Sequence, residues 1–319
     1  MAALAVLLTA GPGIAFAAPG DPEGDAGLLA QVEAASRGYL DAQAALNASK
    51  QRQADLVARM AEAEGRAGGL SDEVGQLASM AYRTGGSLGE VSALLDSGSP
   101  DSLIERASTL AAIGQVKGRQ LRELAQLRAD LAKTKADIDA EVANQQKQLA
   151  EMAKRKADAE RALNGASSGP GGTSSSVASP APRRSDGSWP PESCSVTDPT
   201  GTGGCVTPRM LHAYQQARAA GFTHYTKCHR SGGSGEHPKG RACDFAAATN
   251  TFGGVATGAE RTYGNNLAAY FIANASRLAV LYVIWFKQIW LPSSGWRSYS
   301  GATGAPNTDH TNHVHCSVY

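Results

Sequence analysis

Asp309-His310-Thr311-Asn312-His313-Val314-His315 (DHTNHVH, 309–315) is the stretch on which the reading of the C-terminal part of the chain turns. From His313 the chain runs His-Val-His-Cys-Ser-Val, with the two-residue period of a β-strand, in which side chains at i and i+2 share a face. A strand over 313–318 therefore points His313 and His315 to one side. Working outward, LAVLYVIWF (278–286) is an apolar run of strand length, followed by Lys287 and Gln288, and is expected to be a buried strand. Residues 263–277 read as a helix. TPRMLHAYQQARAAGF (207–222) reads as a second, capped by Thr207, with Met210, Leu211, Tyr214 and Ala217 on one face. Short strands around 225–230 and 242–247 complete an α+β domain from Trp189 to Tyr319, long enough for one core.

A second cluster sits upstream, Gly235-Glu236-His237-Pro238-Lys239-Gly240-Arg241-Ala242-Cys243-Asp244. Two neutral imidazoles and a carboxylate suit Zn²⁺, and three protein ligands leave a coordination position open. The pair H-x-x-G-x-A-x-D and H-x-H resembles the signature of the D-Ala-D-Ala metallopeptidase, lysostaphin and hedgehog-like fold group. The similarity is greatest to the penicillin-insensitive murein endopeptidase and D,D-carboxypeptidase branches. It covers roughly the last 110 residues of the chain.

That resemblance implies a zinc peptidase with metal ligands His237, Asp244 and His315. The carboxypeptidase branch places a Glu three residues before the last ligand as general base, and this chain has Asn312 there. Like the murein endopeptidases it has His310 and His313 instead. His313 is thus the expected acid/base group, with His310 as its helper or a substrate contact. Arg230, in His229-Arg230-Ser231, matches an Arg expected to hold a carboxylate or an oxyanion. Gly235 departs from the family's usual Ser two residues before the first ligand. His212, His224 and His229 are expected to be structural, and Glu236 to point away from the ligand face.

The front half reads differently. From Leu28, the positions Val32, Ala35, Tyr39, Ala42, Leu46, Ser49, Gln53, Leu56, Met60, Ala63, Ala67, Leu70, Val74, Leu77 and Ala81 follow alternating steps of four and three. That is a coiled-coil seam. It breaks at 84–103, where Gly85-Gly86 and Ser99-Pro100 stop a long helix. It resumes through Leu124, Leu127, Leu131, Thr134 and Ile138, then after a four-residue stutter through Val142, Gln145, Leu149 and Met152. The expected fold is an all-α coiled-coil hairpin (27–165) followed by a small α+β metallopeptidase-like domain of the hedgehog/D,D-peptidase kind (189–319). Between them ASSGPGGTSSSVASPAPRRSDGS (166–188) has the composition of a flexible linker. The YRTGG…LLDSGSPDSLIERASTL stretch resembles coils that precede catalytic domains in secreted bacterial peptidoglycan hydrolases. It implies a coil that positions or masks the domain and docks on a membrane-bound division complex.

Composition sorts the same way. Of 19 aromatic residues, 16 follow position 188, as do all seven His and all five Cys. Residues 1–165 carry 18 basic and 22 acidic side chains, a net of −4; the remainder carries 12 and 7, a net of +5. A whole-chain charge of +1 excludes a polybasic nucleic-acid binder. Residues 2–16 are apolar and lead into Ala15-Phe16-Ala17, an A-x-A cleavage pattern, so 1–17 are expected to be a signal peptide, though no basic residue precedes Arg37. No further transmembrane segment is expected. Five Cys in one exported domain favour disulfides, with Cys194–Cys205 and Cys228–Cys243 the preferred pairs and Cys316 left over. The expectation is a secreted or cell-wall-associated bacterial zinc enzyme acting on peptidoglycan. The alternative is a metal-containing wall-binding or scaffold protein without turnover.

Overall fold

The computed structural model describes residues 26–86, 89, 91–92, 99–163 and 169–319, so the expected signal peptide lies outside the described residues. A helical N-terminal region precedes a small antiparallel-sheet domain. Helix α1 runs Ala26–Arg83 and α2 runs Pro100–Ala162, 58 and 63 residues long. The Gly85 and Gly86 backbones, with φ of 80° and 58°, take the left-handed conformation that ends α1. Ser99 opens α2, its hydroxyl accepting from the Ser102 amide while the Ser102 hydroxyl accepts from the Ser99 amide, and Pro100 fills the first helical position.

Residues 44–150 form one compact unit. Within it, Ser49 and Arg52 bond Glu141, Gln53 bonds Gln145, Arg66 pairs with Glu123, and Glu73 with Gln120. Partners later in α1 meet earlier residues of α2, the order of antiparallel helices. On α1 the half-buried positions from 53 to 81 include every expected seam residue in that stretch. On α2 the expected stutter is absent. Val142 and Leu149 are exposed, while Glu141, Gln145 and Gln148 take the inner positions and keep the four-three rhythm unbroken. The apolar pattern misled because these inner sites are polar, Glu141 being bonded by Ser49 and Arg52 and Gln145 by Gln53.

The other compact unit combines residues 26–43 with 151–319. Its centre is a six-stranded antiparallel sheet of β3 (Thr226–Lys227), β4 (Ala242–Ala246), β5 (Val280–Trp285), β6 (Gln288–Leu291), β7 (Gly295–Ser298) and β8 (His313–Val318). They are ordered β3-β4-β8-β5-β6-β7. A separate hairpin pairs β1 (Val196–Thr197) with β2 (Cys205–Val206). One sheet face, built by Cys243, Phe245, Val283, Trp285, Val314, Cys316 and Val318, is covered by α3 (Pro208–Ala219) and α4 (Gly258–Ala273). Thr207 caps α3, accepting from the Met210 amide at 3.2 Å. A Cβ at Gly264 of α4 would meet the Trp285 ring at 2.3 Å, so only glycine lets that helix lie against β5. A one-turn helix, α5 (Ala275–Leu278), leads into β5.

The opposite face carries Tyr282 and Ile284 with Asp244, His313, His315 and Ser317. The start of α1 (Val32, Ala35, Leu40) and the end of the second long helix (Ala159, Leu163) pack with Leu281, Tyr282, Ile284, Ile289, Leu291 and Tyr299. Glu33 bonds Arg241 and Lys239, Arg37 reaches Glu236, the Tyr319 hydroxyl donates to Asp41, and Arg297 pairs with Glu160. The helix ends thus belong to the sheet's core, not to a separate coil domain beginning at 27 and ending at 165. The expected linker also differs. Along 173–183 its amides and carbonyls bond Asn266, Asn274, Gln216 and Arg277, and Ala178 and Ala181 are buried. Its Ser/Gly/Pro composition supplied no helix or strand, but side-chain amides of α3 and α4 pin it as an irregular strap. Among the described residues no helix is long and apolar enough to cross a membrane.

Candidate metal centre

Strand register assembles the site. Asp244 on β4 sits directly opposite His315 on β8, and His313 opposite Ala246. Alternation then puts Asp244, His313 and His315 on the face of Tyr282 and Ile284, while Cys243, Phe245, Val314 and Cys316 fill the core under α3 and α4. His237 arrives from the loop before β4. Its Nε2 lies 3.1 Å from Asp244 Oδ2 and 3.2 Å from His315 Nδ1, and His315 Nδ1 lies 2.9 Å from Asp244 Oδ1. His313 Nε2 is 3.4 Å from Asp244 Oδ1. His310 completes the cluster, its ring 4.8 Å from that of His313 and 5.8 Å from that of His315. None of these five residues is more than 2% exposed.

The outer nitrogens decide what the inner ones can do. His237 Nδ1 donates to the Cys228 carbonyl, and His310 Nδ1 to the Thr308 carbonyl. Asn312 Nδ2 donates to Gly253 O and Asn307 Oδ1, which leaves its Oδ1 to accept from His313 Nδ1 at 2.8 Å. His315 Nε2 shares a 2.7 Å hydrogen bond with Ser317 Oγ. Carbonyl and amide oxygens only accept, so His237, His310 and His313 hold a proton on the outer nitrogen and turn Nε2 inward. The buried Nε2 atoms of His310 and His313 have no hydrogen-bond partner.

One carboxylate and four converging ring nitrogens, two of them without a hydrogen-bond partner, form a site that a cation satisfies. The three atoms from His237, Asp244 and His315 lie within 4.8 Å of one another, and this N,O donor set suits Zn²⁺. Cys194, Cys205 and His229 also cluster, but both sulfurs are consumed in a disulfide.

Electrostatics favour a charged carboxylate at the centre of the cluster. Burial alone would raise Asp244, but the charges of His237 and His313 and bonds from His237 and His315 hold it well below the usual carboxylate range. Burial, with the charges of His315, His237 and Arg230, brings His313 down to about 4 against the opposing pull of Asp244. His310 is also driven down by burial and by His313 and His315. Its backbone has φ of 50°, a left-handed conformation uncommon for a non-glycine residue, and its ring meets Tyr299 edge-on.

The structure therefore brings together His237, Asp244, His310, His313 and His315, with Arg230 half-buried and near enough to bias His313. Glu236 points away, to Arg241, Lys239 and Arg37. His212 and His224 bond the Ser179 and Ala247 carbonyls, and His224 stacks on Tyr263, as structural histidines do. Sequence reasoning missed Asn312, Ser317 and the Cys228 carbonyl as the groups that fix the rings, and Tyr282, which stacks on His315 at 5.5 Å. Ser317 was legible in principle, lying two residues beyond His315 on the same strand face. The expected disulfides Cys194–Cys205 and Cys228–Cys243 are present and Cys316 is a buried free thiol.

The family model described as VldE, C-terminal domain, matches residues 202–311. The matched segment contains Arg230, His237, Asp244 and His310 but stops short of His313 and His315. No curated protein and no solved structure matches the chain.

Proposed function

We propose that this chain is a zinc-dependent peptidase that cleaves amide bonds in the stem peptides or cross-links of peptidoglycan. The observation that carries the reading is the buried convergence of His237 Nε2, His315 Nδ1 and the Asp244 carboxylate, with bare Nε2 atoms of His313 and His310 beside it. Zn²⁺ bound by His237, Asp244 and His315 supplies Lewis acidity toward a scissile carbonyl and acidifies water. His313, neutral at pH 7 and oriented by Asn312, accepts a proton at Nε2 and returns it to the leaving amine. His310 supports it or contacts substrate, and Arg230 steadies the developing anion. The two disulfides fit an oxidising compartment and hence a secreted protein at the bacterial wall.

The helix ends bear on regulation of the same site. They lie on the sheet face that bears the ligands, and the Glu33–Arg241 and Arg37–Glu236 contacts reach to within one residue of His237. On this reading a coiled-coil hairpin masks the site until a partner, a membrane-bound division complex, draws the helices away.

The test uses the full chain with purified sacculi, with and without a chelator. Chelator-sensitive release of soluble muropeptides is the expected result, and its absence from a zinc-loaded protein with loosened helix ends removes the enzyme reading. Zinc-dependent pelleting with sacculi without release would favour a binding module. His313→Ala should reduce release by roughly 10²–10⁴-fold, the range for an acid/base group, while zinc stays stoichiometric. Loss of zinc in that variant would show the ligand set to be misassigned.

A further inference from the structure

We propose that the Cys228–Cys243 disulfide is a positioning element of the metal centre, so that metal binding and the oxidation state of this pair are coupled. The inference rests on the metal reading above and extends it to residues outside the ligand set.

Strand β3 is the edge of the sheet and only two residues long, paired through Thr226–Phe245 and Lys227–Asp244. The next residues in register are Cys228 and Cys243, so the disulfide joins directly opposed positions on neighbouring strands. Each half borders the metal site through the backbone. The Cys228 carbonyl takes the Nδ1 proton of His237, which turns Nε2 toward Asp244 and His315. Cys243 immediately precedes Asp244. One covalent bond therefore sets the distance between the support of one ligand and the strand that bears another.

The other restraints on the Cys228 end are core packing and loop contacts. The connection from Cys228 to His237 passes through Gly232, Gly233 and Gly235, all with positive φ, and has no helix or strand. The turn of Asp198 to Gly204 assists from the far side, with Thr200 Oγ1 accepting from the Cys228 amide and Asp198 from the His229 amide. These bonds orient the segment but do not tie it to β4. Without the disulfide, the only covalent tie between the Cys228 carbonyl and the strand that bears Asp244 is the chain itself, and a two-residue edge strand carries the ladder bonds between them. Groups that orient a metal-binding histidine are typically worth 10–100-fold in metal affinity.

Reduction consumes two electrons and two protons, supplied by a dithiol, and turns the disulfide into two thiols. Binding linkage is reciprocal, so a metal that prefers the oxidised protein makes the bond harder to reduce. For a two-electron couple each tenfold preference corresponds to 29.6 mV, so zinc should lower the potential of this pair by roughly 30–60 mV.

The experiment compares full-length proteins carrying Cys316→Ala, because Cys316 is paired with Cys243 across the sheet and a freed thiol could exchange onto it. In that background Cys228→Ser/Cys243→Ser is set against Cys194→Ser/Cys205→Ser, which opens the other disulfide. Cobalt(II) is the probe, its visible spectrum reporting ligand geometry and competition with a chelator reporting affinity. The expected result is an altered spectrum and affinity 10–100-fold weaker in the first variant, with both close to the parent in the second. Equal spectra and affinities in the two variants overturn the proposal even if the first melts at a lower temperature. Should the first variant fail to fold by circular dichroism, redox titration of the Cys316→Ala protein with and without zinc decides. A potential unmoved by zinc is then the overturning result. If the parent binds no metal, the metal reading fails and this inference with it; if the parent binds and the variant binds equally well, only this inference fails.

Discussion

The two faces of the central sheet are made by alternate residues of the same strands, yet they have opposite chemistries. On β4 and β8, Cys243, Phe245, Val314, Cys316 and Val318 face α3 and α4 in an apolar core. One residue along, Asp244, His313, His315 and Ser317 face the long-helix ends, and all are fully buried polar groups. An apolar face gains stability from each side chain by removing it from water. The polar face loses solvation for each group and recovers it only through partners. Its stability is therefore conditional on the network of His237, Asp244 and the ring-orienting acceptors. The lesson is that β-alternation lets one strand serve as scaffold and as site, with little interference between the two roles.

The largest expected effects set neighbours on β4 against each other. Asp244→Asn removes the one charge that draws the rings together, and the protein should purify without the stoichiometric zinc of the parent. Phe245→Ala should retain that zinc but cost about 3–5 kcal/mol of stability, the usual range for a buried phenylalanine. Metal analysis and chemical denaturation of both proteins check the pair. Equal metal loss in the two would mean that the faces are not independent.

The next comparison concerns what covers each face. Helices α3 and α4 are held by apolar packing, whereas the start of α1 also relies on charge. Burial alone would raise Glu33, but hydrogen bonds with Glu236, Lys239 and Arg37 outweigh it and bring its carboxyl from 4.5 to about 2. Glu236 moves the other way, raised by burial and by Glu33, against the pull of Arg241. A lowered folded-state value contributes stability that is complete above about pH 4.5 and is lost as pH falls toward 2. The helix ends should therefore loosen over that window while α3 and α4 stay in place, a contrast that hydrogen exchange at acid pH resolves by segment. At neutral pH, Glu33→Gln should cost about 1–3 kcal/mol, as expected for lost hydrogen bonds to charged groups. It should also increase muropeptide release; unchanged release from a demonstrably loosened variant would argue against masking.

The ligand face was legible because strand period is two and His-Val-His states it directly. His237, Asp244 and His315 are singled out by the family motif they resemble, and their side chains do converge. The inner positions of α1 were equally plain, since apolar residues fill all of them but Ser49 and Gln53. On α2 the reading drifted to Val142 and Leu149, because a rule that follows apolar residues cannot see Glu141 meeting Ser49 and Arg52 across the helices. The strap at 169–188 escaped for a related reason. Its order comes from Asn266, Asn274 and Gln216, residues remote in sequence. The packing of helix ends on the ligand face was hidden as well: Val32 and Ala35 fit a coil seam and a sheet surface equally, and only tertiary contact distinguishes the two.

The smallest effects fall on the last strand, where Cys316 and Ser317 are adjacent, both buried, and belong to opposite faces. Ser317 Oγ holds His315 Nε2 at 2.7 Å and so fixes which nitrogen is turned to the centre. Ser317→Ala should weaken zinc binding about tenfold, the low end for a residue that orients a ligand. Ser317→Thr, which keeps the hydroxyl, should recover most of the loss. Cys316→Ala removes a sulfur from the apolar core, so it should lower stability by about 1 kcal/mol and leave zinc affinity unchanged. Competition titrations on the three variants give the order. If Cys316→Ala lost as much affinity as Ser317→Ala, the metal would be responding to sheet packing in general, and the division of labour between the faces would not hold at this end of β8.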